Sequence, residues 1–179
     1  MNRELLAEQM AELPLFACFY VNPKELDYSD RIRWICENEC PRYGKSWACP
    51  PAVGTVAQCA AKCRSFDSCL VIGSVAEWAD VTDMEATLAT RPDHEALTDA
   101  VAALMEQQGV NPFVLSTDSC AICKECTCTS GQPCRHPEKM HPCVESHGIN
   151  VIPVLEAEGI PFIYGDTTVI WYSMLFFNE

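Results

Sequence analysis

Residues 120–134 read Cys-Ala-Ile-Cys-Lys-Glu-Cys-Thr-Cys-Thr-Ser-Gly-Gln-Pro-Cys, with five cysteines in fifteen residues. Cys120, Cys123 and Cys126 form a C-x2-C-x2-C run, a spacing with which a short loop wraps thiolates around one metal cluster. In ferredoxins this triplet takes its fourth cysteine from elsewhere in the chain. Cys134 is the natural fourth ligand here, because closing a short loop costs less entropy than recruiting a distant residue. The sequence therefore predicts a metal-binding loop.

A second group of cysteines lies in residues 35–51, which read Ile-Cys-Glu-Asn-Glu-Cys-Pro-Arg-Tyr-Gly-Lys-Ser-Trp-Ala-Cys-Pro-Pro. Cys36 and Cys40 are four residues apart, so a helix puts both on one face, and a bend in the following loop returns Cys49 to the same centre. Cys49 is also an alternative fourth ligand for the first group, which would leave Cys134 for the second. Further candidates for the missing ligand of the second group are Cys18, Cys59, Cys63, Cys69, Cys128, Cys143, a histidine or an external molecule.

The other cysteines and the histidines can also be explained without metal binding. Cys128 follows Cys126 by two residues, so in an extended loop it points the other way; it is either a spare thiol or a ligand of the second site. Apolar surroundings favour core packing for Cys18, Cys59, Cys63 and Cys69. We expect His94 at the surface. A solvated helix face, or hydrogen bonds that tune a cluster, is expected for His136, His141 and His147.

The spacing of the thiols favours iron–sulfur clusters over other uses of cysteine. Structural zinc usually takes two separated C-x2-C pairs, whereas three cysteines overlap in one run here. A thioredoxin-type dithiol would lie at a strand–helix junction without additional cysteines. We therefore expect one or two iron–sulfur clusters, of the [4Fe-4S] type, with zinc as the alternative.

Length and charge limit the remaining possibilities. The 179 residues suit a single metal-binding domain, 1–179, with possible sub-lobes 1–66 and 67–179 that share the cluster region. The formal net charge of -13 disfavours nucleic acid and anionic membranes as partners. The chain start is not a secretory signal and no apolar segment is long enough to span a bilayer, so we expect a cytoplasmic protein. In a reducing cytosol its 13 cysteines favour metal binding over disulfides.

The pattern of apolar residues, caps and turn residues predicts an α+β fold: a mostly antiparallel sheet with flanking helices and cysteine-rich metal-binding loops. Predicted helices cover residues 3–13, 30–40, 55–66, 93–108 and 137–148, with Ser29 or Asp30 and Thr55 as caps. Predicted strands cover residues 15–21, 69–75, 112–116, 160–164 and 167–177, the last two as a hairpin around Gly165 and Asp166.

Three stretches resemble a known family. They are residues 40–51, the Cys120, Cys123 and Cys126 run, and residues 133–151, which read Pro-Cys-Arg-His-Pro-Glu-Lys-Met-His-Pro-Cys-Val-Glu-Ser-His-Gly-Ile-Asn-Val. Together they are similar to the predicted metal-binding protein family, domain of unknown function 2284, over about residues 32–177. Such proteins occur largely in anaerobic bacteria and archaea. The resemblance implies that the family's cysteine pattern is matched by Cys36, Cys40, Cys49, Cys120, Cys123, Cys126 and Cys134. Cys143 departs from the pattern, and outside it lie Cys18, Cys59, Cys63, Cys69 and Cys128, which leaves an altered or larger cluster open.

Three functions fit these observations. The preferred one is an iron–sulfur protein for redox chemistry or electron transfer in anaerobic metabolism, with a redox partner protein. The second is an enzyme whose open iron site binds a small-molecule substrate as a Lewis acid or accepts sulfur from it; the incomplete Cys36 group motivates this idea. The third is a zinc-stapled structural or interaction module, possible as a homodimer through the apolar run 169–177, although burial of that run as a central strand is favoured.

Overall fold

The computed structural model describes residues 1–77, 82–162 and 165–179. These residues form six α-helices: α1 (Arg3–Met10), α2 (Asp30–Asn38), α3 (Val56–Arg64), α4 (Met84–Ala89), α5 (Arg91–Gln107) and α6 (Ile152–Ala157). They also form four strands: β1 (Ala17–Val21), β2 (Ser68–Glu77), β3 (Phe113–Leu115) and β4 (Thr168–Phe177). Two short 3₁₀ helices, Thr127–Ser130 and Glu145–His147, lie in the cysteine-bearing loops.

The four strands form one antiparallel sheet in the order β1-β2-β4-β3. Strands β2 and β4 pair along their whole length, from Ser68 opposite Phe177 to Glu77 opposite Thr168. The apolar run 169–177 is therefore a central strand. The predicted α+β class with a mostly antiparallel sheet is confirmed. Because β1 comes from one predicted sub-lobe and β2 from the other, the sheet joins both; the division at residue 66 stays a prediction.

One face of the sheet is covered by helices α1 and α5. Alternate residues of a strand point to opposite faces, so Leu70 and Ile72 of β2 share this side with Leu175 of β4. The helices contribute the buried side chains Leu6, Met10, Val101, Ala102 and Met105. The apolar stripe predicted for residues 93–108 thus packs on the sheet, and the helix begins two residues earlier than predicted.

The opposite face is covered by helices α3 and α6 and by the segment between Cys143 and α6. Val71 and Met174 of the sheet belong to one apolar cluster with Val144 and Ile149, which lie on either side of the 3₁₀ helix Glu145–His147. Burial of such side chains is the main favourable term in folding. The sheet therefore anchors the segment that directly follows Cys143.

Side-chain caps begin two of the helices as the sequence predicts. The Ser29 hydroxyl accepts a hydrogen bond from the Arg31 backbone N–H at the start of α2. Thr55 and Gln58 form a reciprocal capping box at the start of α3. Such caps satisfy backbone N–H groups that have no partner within the helix. Both loops that enter these helices are thereby fixed at their ends.

The predicted helix over residues 137–148 is wrong. Pro137 and Pro142 lack a backbone N–H, and the chain instead bridges to the end of β3: the Ser116 N–H donates to the Pro142 carbonyl over 2.8 Å, and the Val144 N–H donates to the Ser116 carbonyl over 2.9 Å. Only the 3₁₀ turn Glu145–His147 remains helical. Helices α4 and α6 were not expected from the sequence pattern.

The predicted strand over residues 160–164 is not found in its described part. Residues 160–162 are irregular, because the Ile160 N–H donates to the Leu155 carbonyl at the end of α6 over 2.9 Å. Residues 163 and 164 lie outside the described residues. Strand β4 instead takes β2 and β3 as its neighbours.

His94 was expected at the surface but is only 1% exposed. Its Nδ1 lies 2.7 Å from the Ser74 hydroxyl and its Nε2 lies 2.8 Å from the Ser173 hydroxyl. Both serines belong to the central strands, whose contact with α5 could not be read from local sequence. Desolvation, helped by the nearby Arg91 guanidinium, lowers the pKa of His94 to about 4.

Replacing Leu6 with alanine should lower the free energy of unfolding by about 2–5 kcal/mol, because it leaves a cavity between α1 and the sheet. Leu6 is 0% exposed, whereas its neighbour Leu5 is 41% exposed. Leu5→Ala is therefore the matched control and should change the same quantity by at most about 0.5 kcal/mol. Denaturant titration under reducing, anaerobic conditions measures both values. Equal effects of the two substitutions would contradict the packing of α1.

Acidification should destabilise the fold through His94. An unfolded histidine takes up its proton near pH 6.5, whereas the folded pKa is about 4. Between these values the unfolded chain binds the extra proton, so the free energy of unfolding falls as pH is lowered, by up to about 3 kcal/mol at pH 4. His94→Gln should make this decline shallower in denaturant titrations at several pH values. It should not abolish the decline, because burial also lowers the pKa of His147 to about 4. Parallel curves for parent and variant would refute this role of His94.

Candidate metal centres

Four cysteines line a cavity of about 290 Å³, which we call the Cys36 cavity; they are Cys36, Cys40, Cys49 and Cys143. The thiols come from separate segments: the end of α2, the residue before Pro41, the following loop, and the segment bridged to Ser116. The rest of the wall includes Ile35, Tyr43, Asp118, Glu145 and Trp171. The structure thus brings the second predicted cysteine group together and adds Cys143 to it.

Hydrogen bonds hold three of these thiols. Cys49 Sγ lies 3.2 Å from the Ser119 hydroxyl oxygen, and the Ser146 backbone N–H donates to Cys143 Sγ over 3.3 Å. Cys36 Sγ donates to the Glu145 carbonyl over 3.8 Å. N–H donors that point at ligand sulfurs are typical of iron–sulfur sites, where they tune the potential.

Three thiols of the cavity, those of Cys36, Cys49 and Cys143, stay protonated when no metal is bound. Burial, reinforced by the Glu145 carboxylate and by neighbouring thiols, raises the pKa of Cys36 to about 11. Burial also raises the pKa of Cys49, and it raises that of Cys143 far above its ordinary value. A soft metal deprotonates such thiols on binding, and its charge compensates the cost of burying thiolates. The donor set therefore fits a thiophilic metal or cluster.

A buried cation lies beside this cavity. Arg33 of α2 is 6% exposed and donates to the carbonyls of Gly54 and Ser146 and, over 3.7 Å, to Cys59 Sγ. Within the described residues it pairs with no carboxylate, and its Nε has no hydrogen-bond partner. Its positive charge acts to lower the pKa of Cys36. A buried charge needs a compensating partner, and deprotonated thiols in the adjacent cavity would supply one.

The first predicted group lines a second, much tighter space, which we call the Cys120 cavity. Its cysteines are Cys120, Cys123, Cys126 and Cys134, and its volume is about 20 Å³. The His136 backbone N–H donates to Cys134 Sγ over 3.4 Å. A space of this size holds about one water molecule. The volume of the cavity is therefore that of a single ion, and a cuboidal cluster would need the loop to expand.

The two cavities share a wall. Ser119 lines the Cys36 cavity, and its neighbour Cys120 lines the Cys120 cavity. The loop that follows α2 contributes to the same wall: its Trp47 lines the Cys120 cavity and its Cys49 lines the Cys36 cavity. The Trp47 indole N–H donates to the Gln132 carbonyl over 3.0 Å and so ties the two loops together. Centres in these cavities would be immediate neighbours.

The remaining cysteines mostly follow their predicted placement. Cys59, Cys63 and Cys69 are buried, which confirms core packing, but Cys18 is exposed and its predicted burial is wrong. Cys18 lies on β1, an edge strand, which is why its apolar sequence neighbours did not ensure burial. Cys128 is half-buried on the 3₁₀ helix Thr127–Ser130 and is not among the described residues that line either cavity.

The histidines after the cysteine loop do not share a solvated helix face. His147 is 3% exposed, so that expectation is wrong for it. It is buried because the segment around it packs on the sheet instead of forming the predicted helix. His141 Nε2 lies 2.9 Å from Asp99 Oδ1 of α5, and His136 contributes its backbone to Cys134.

Cys143 is the ligand candidate whose importance the sequence underestimated. It appeared there only as one of several additional thiols, because it is far along the chain from the Cys36 group. Its position follows from the parallel bridge between Ser116 and Cys143. The sequence signal for this position was Pro142, directly before Cys143. A proline disfavours the helix that was predicted for residues 137–148.

The thiols surround cavities; they do not already converge on one point. Within residues 1–77, 82–162 and 165–179, no group of three or more histidine, cysteine, aspartate or glutamate side chains is arranged to hold a metal ion. Ligation by all eight cavity-lining cysteines therefore stays a prediction.

None of the helices in the described part is long and apolar enough to cross a membrane.

Comparison with known proteins gives one match. The model of a family described as predicted metal-binding protein (DUF2284) matches residues 20–177. Neither a curated protein nor a solved structure matches the chain. The matched region includes both four-cysteine cavities and begins after α1.

Proposed function

The chain belongs to the DUF2284 family of predicted metal-binding proteins, and from that premise we propose that it binds iron–sulfur clusters and transfers electrons in anaerobic metabolism. The observation that carries this proposal is the Cys36 cavity, in which four cysteines surround about 290 Å³. Four thiolates are the usual ligand set of a [4Fe-4S] cluster. A cluster bound there would supply reversible one-electron chemistry.

The size of the Cys36 cavity supports a cluster over zinc. Zinc lies only about 2.3 Å from each thiolate sulfur, so a tetrahedral zinc site closes on its ion. The Cys36 cavity has an apolar wall around its thiols, with Ile35, Tyr43 and Trp171 among its residues. These side chains give the thiols apolar neighbours, and the Ser146 N–H that points at Cys143 Sγ stabilises a thiolate there.

The Cys120 cavity supports two alternatives. Its C-x2-C-x2-C spacing favours a second cluster, whereas its volume of about 20 Å³ favours a single ion such as zinc. A zinc-stapled loop is therefore the second candidate for this cavity alone. In either case Cys120, Cys123, Cys126 and Cys134 would hold the metal, and Arg135, which donates to the Glu125 carbonyl over 3.0 Å, would help to close the loop.

Cys143 reduces the case for an enzyme with an open iron site. That idea rested on a Cys36 group with only three thiols, and Cys143 now lines the same cavity as a fourth. The homodimer idea loses part of its sequence argument, since the whole run 169–177 pairs with β2 and its residues 174–176 also pair with β3. Electron transfer is the function that uses all eight cysteines without a further catalytic group.

The shared wall supports transfer between the two centres. The cysteines of the Cys120 cavity are half-buried, whereas Cys36, Cys49 and Cys143 are buried. A partner would therefore exchange electrons through the Cys120 centre, and the Cys36 centre would receive them across Ser119 and Cys120. With a net charge of -13, the chain favours a redox partner protein with a basic docking surface.

Anaerobically purified protein should contain about four iron and four sulfide per cluster-filled cavity, measured together with zinc. Cys143→Ser should remove the iron of the Cys36 cavity, and Cys120→Ser should remove the metal of the Cys120 cavity. Cys128→Ser is the matched control, because Cys128 lies in the same loop without lining either cavity. If the parent contains both iron and zinc, and only Cys120→Ser loses the zinc, then the Cys36 cavity holds a cluster and the Cys120 cavity holds zinc. Zinc without sulfide in both cavities would refute the proposal.

Arg33→Gln should lower the reduction potential of the Cys36 centre, because loss of a buried positive charge disfavours the added electron. The expected shift is on the order of 60 mV, which corresponds to a tenfold change in the equilibrium constant of a one-electron reduction. Arg31→Gln is the matched control, since Arg31 belongs to the same helix but is exposed. Potentiometric titration followed by electron paramagnetic resonance measures both variants. An unchanged or raised potential in Arg33→Gln would contradict the assigned role of this arginine.

A further inference from the structure

A groove of about 660 Å³ adjoins the Cys120 cavity, and we call it the Lys62 groove. Trp47, Cys134 and Met140 line both spaces. The groove therefore reaches one thiol of the candidate centre. Its volume lies in the usual range of small-molecule sites.

The charge of the groove is opposite to that of the chain. The chain has 25 acidic and 12 basic residues, yet none of the described residues that line the groove is an aspartate or glutamate. Lys62 is the one lysine or arginine among them. An anion in this groove would meet a cation and no carboxylate among the described lining residues, which favours it by Coulomb attraction.

The wall beside this charge is apolar and aromatic. Lys62 Nζ lies 3.4 Å from the centroid of the Phe113 ring, and Phe113 packs against the buried His147 with ring centroids 5.7 Å apart. Trp47 and Met140 continue the wall towards Cys134. Aromatic faces of this kind hold flat rings by offset or edge contacts.

The neighbouring groove shows why an anion would choose this side of Lys62. Lys62 also lines a groove of about 600 Å³ whose wall includes Asp99, Glu106 and Glu138. Those carboxylates repel an anion, and in the described part of the chain Lys62 forms no ion pair with them. The carboxylate-free Lys62 groove is thus the better anion site.

We propose that the Lys62 groove binds a small aromatic carboxylate, with the carboxylate at Lys62 and the ring against Trp47. The ligand then lies beside Cys134. That it is a redox substrate of the metal centre rests on the proposed function; the binding itself does not.

Calorimetric titration of the intact protein with naphthalene-2-carboxylate and with the uncharged 2-naphthamide tests the proposal. The carboxylate should bind about tenfold more tightly than the amide, and the difference should shrink as salt is added. Lys62→Met should remove this preference, and Lys62→Arg should keep it. Lys24→Met is the matched control, since Lys24 is exposed and outside the groove, and it should bind like the parent.

Equal affinities for the two probes, or an undiminished preference in Lys62→Met, would overturn the proposal. Trp47→Leu provides an independent check, because it should weaken both probes alike while preserving an apolar side chain. Protein that binds the carboxylate but contains no iron would uphold this inference and refute the proposed function. Protein that contains clusters but binds both probes equally would refute this inference and uphold the proposed function.

Discussion

Two backbone hydrogen bonds to Ser116 determine where the cysteine-bearing segments meet. The Ser116 N–H and carbonyl bond to Pro142 and Val144 over 2.8 and 2.9 Å, which extends β3 and sets Cys143 beside the segment that leads into Cys120. The loop that carries Cys40 and Cys49 has internal backbone hydrogen bonds, such as that from the Gly44 N–H to the Pro50 carbonyl over 2.8 Å, whereas the bridge fixes the Cys143 segment to the sheet. Without it, Cys143 would not be held beside the other three thiols.

The same packing determines how the protein can take up metal. Burial raises the pKa of Cys36 to about 11 and that of Cys143 still further, so the metal-free fold encloses neutral thiols at little electrostatic cost. Metal binding then exchanges protons for a cation, which makes affinity increase with pH. Arg33 lies beside the cavity with no carboxylate partner in the described residues, so it would offset the negative charge of thiolates that bind a metal there.

Local sequence predicted what local interactions determine. The thiols of Cys120, Cys123, Cys126 and Cys134 do line one cavity, and the caps at Ser29 and Thr55 begin helices. Errors arose where long-range pairing decides. The segment 137–148 follows Ser116 instead of its own helical pattern, and His94 is buried because Ser173 of β4 offers it a partner. No spacing rule connects Cys143 to a helix that ends more than a hundred residues earlier.

The two cavities differ in ways that would give their centres different potentials. The Cys36 cavity is walled by Tyr43 and Trp171, and low polarity disfavours the more negative, reduced state of a cluster. Arg33 counteracts that effect. The Cys120 cavity has half-buried thiols, and solvent there favours the reduced state. If both cavities hold clusters, an electron that enters at the surface stays at the Cys120 centre unless the Cys36 centre has the higher potential. Arg33 would raise the potential of the Cys36 centre, so this buried cation would determine the direction of transfer.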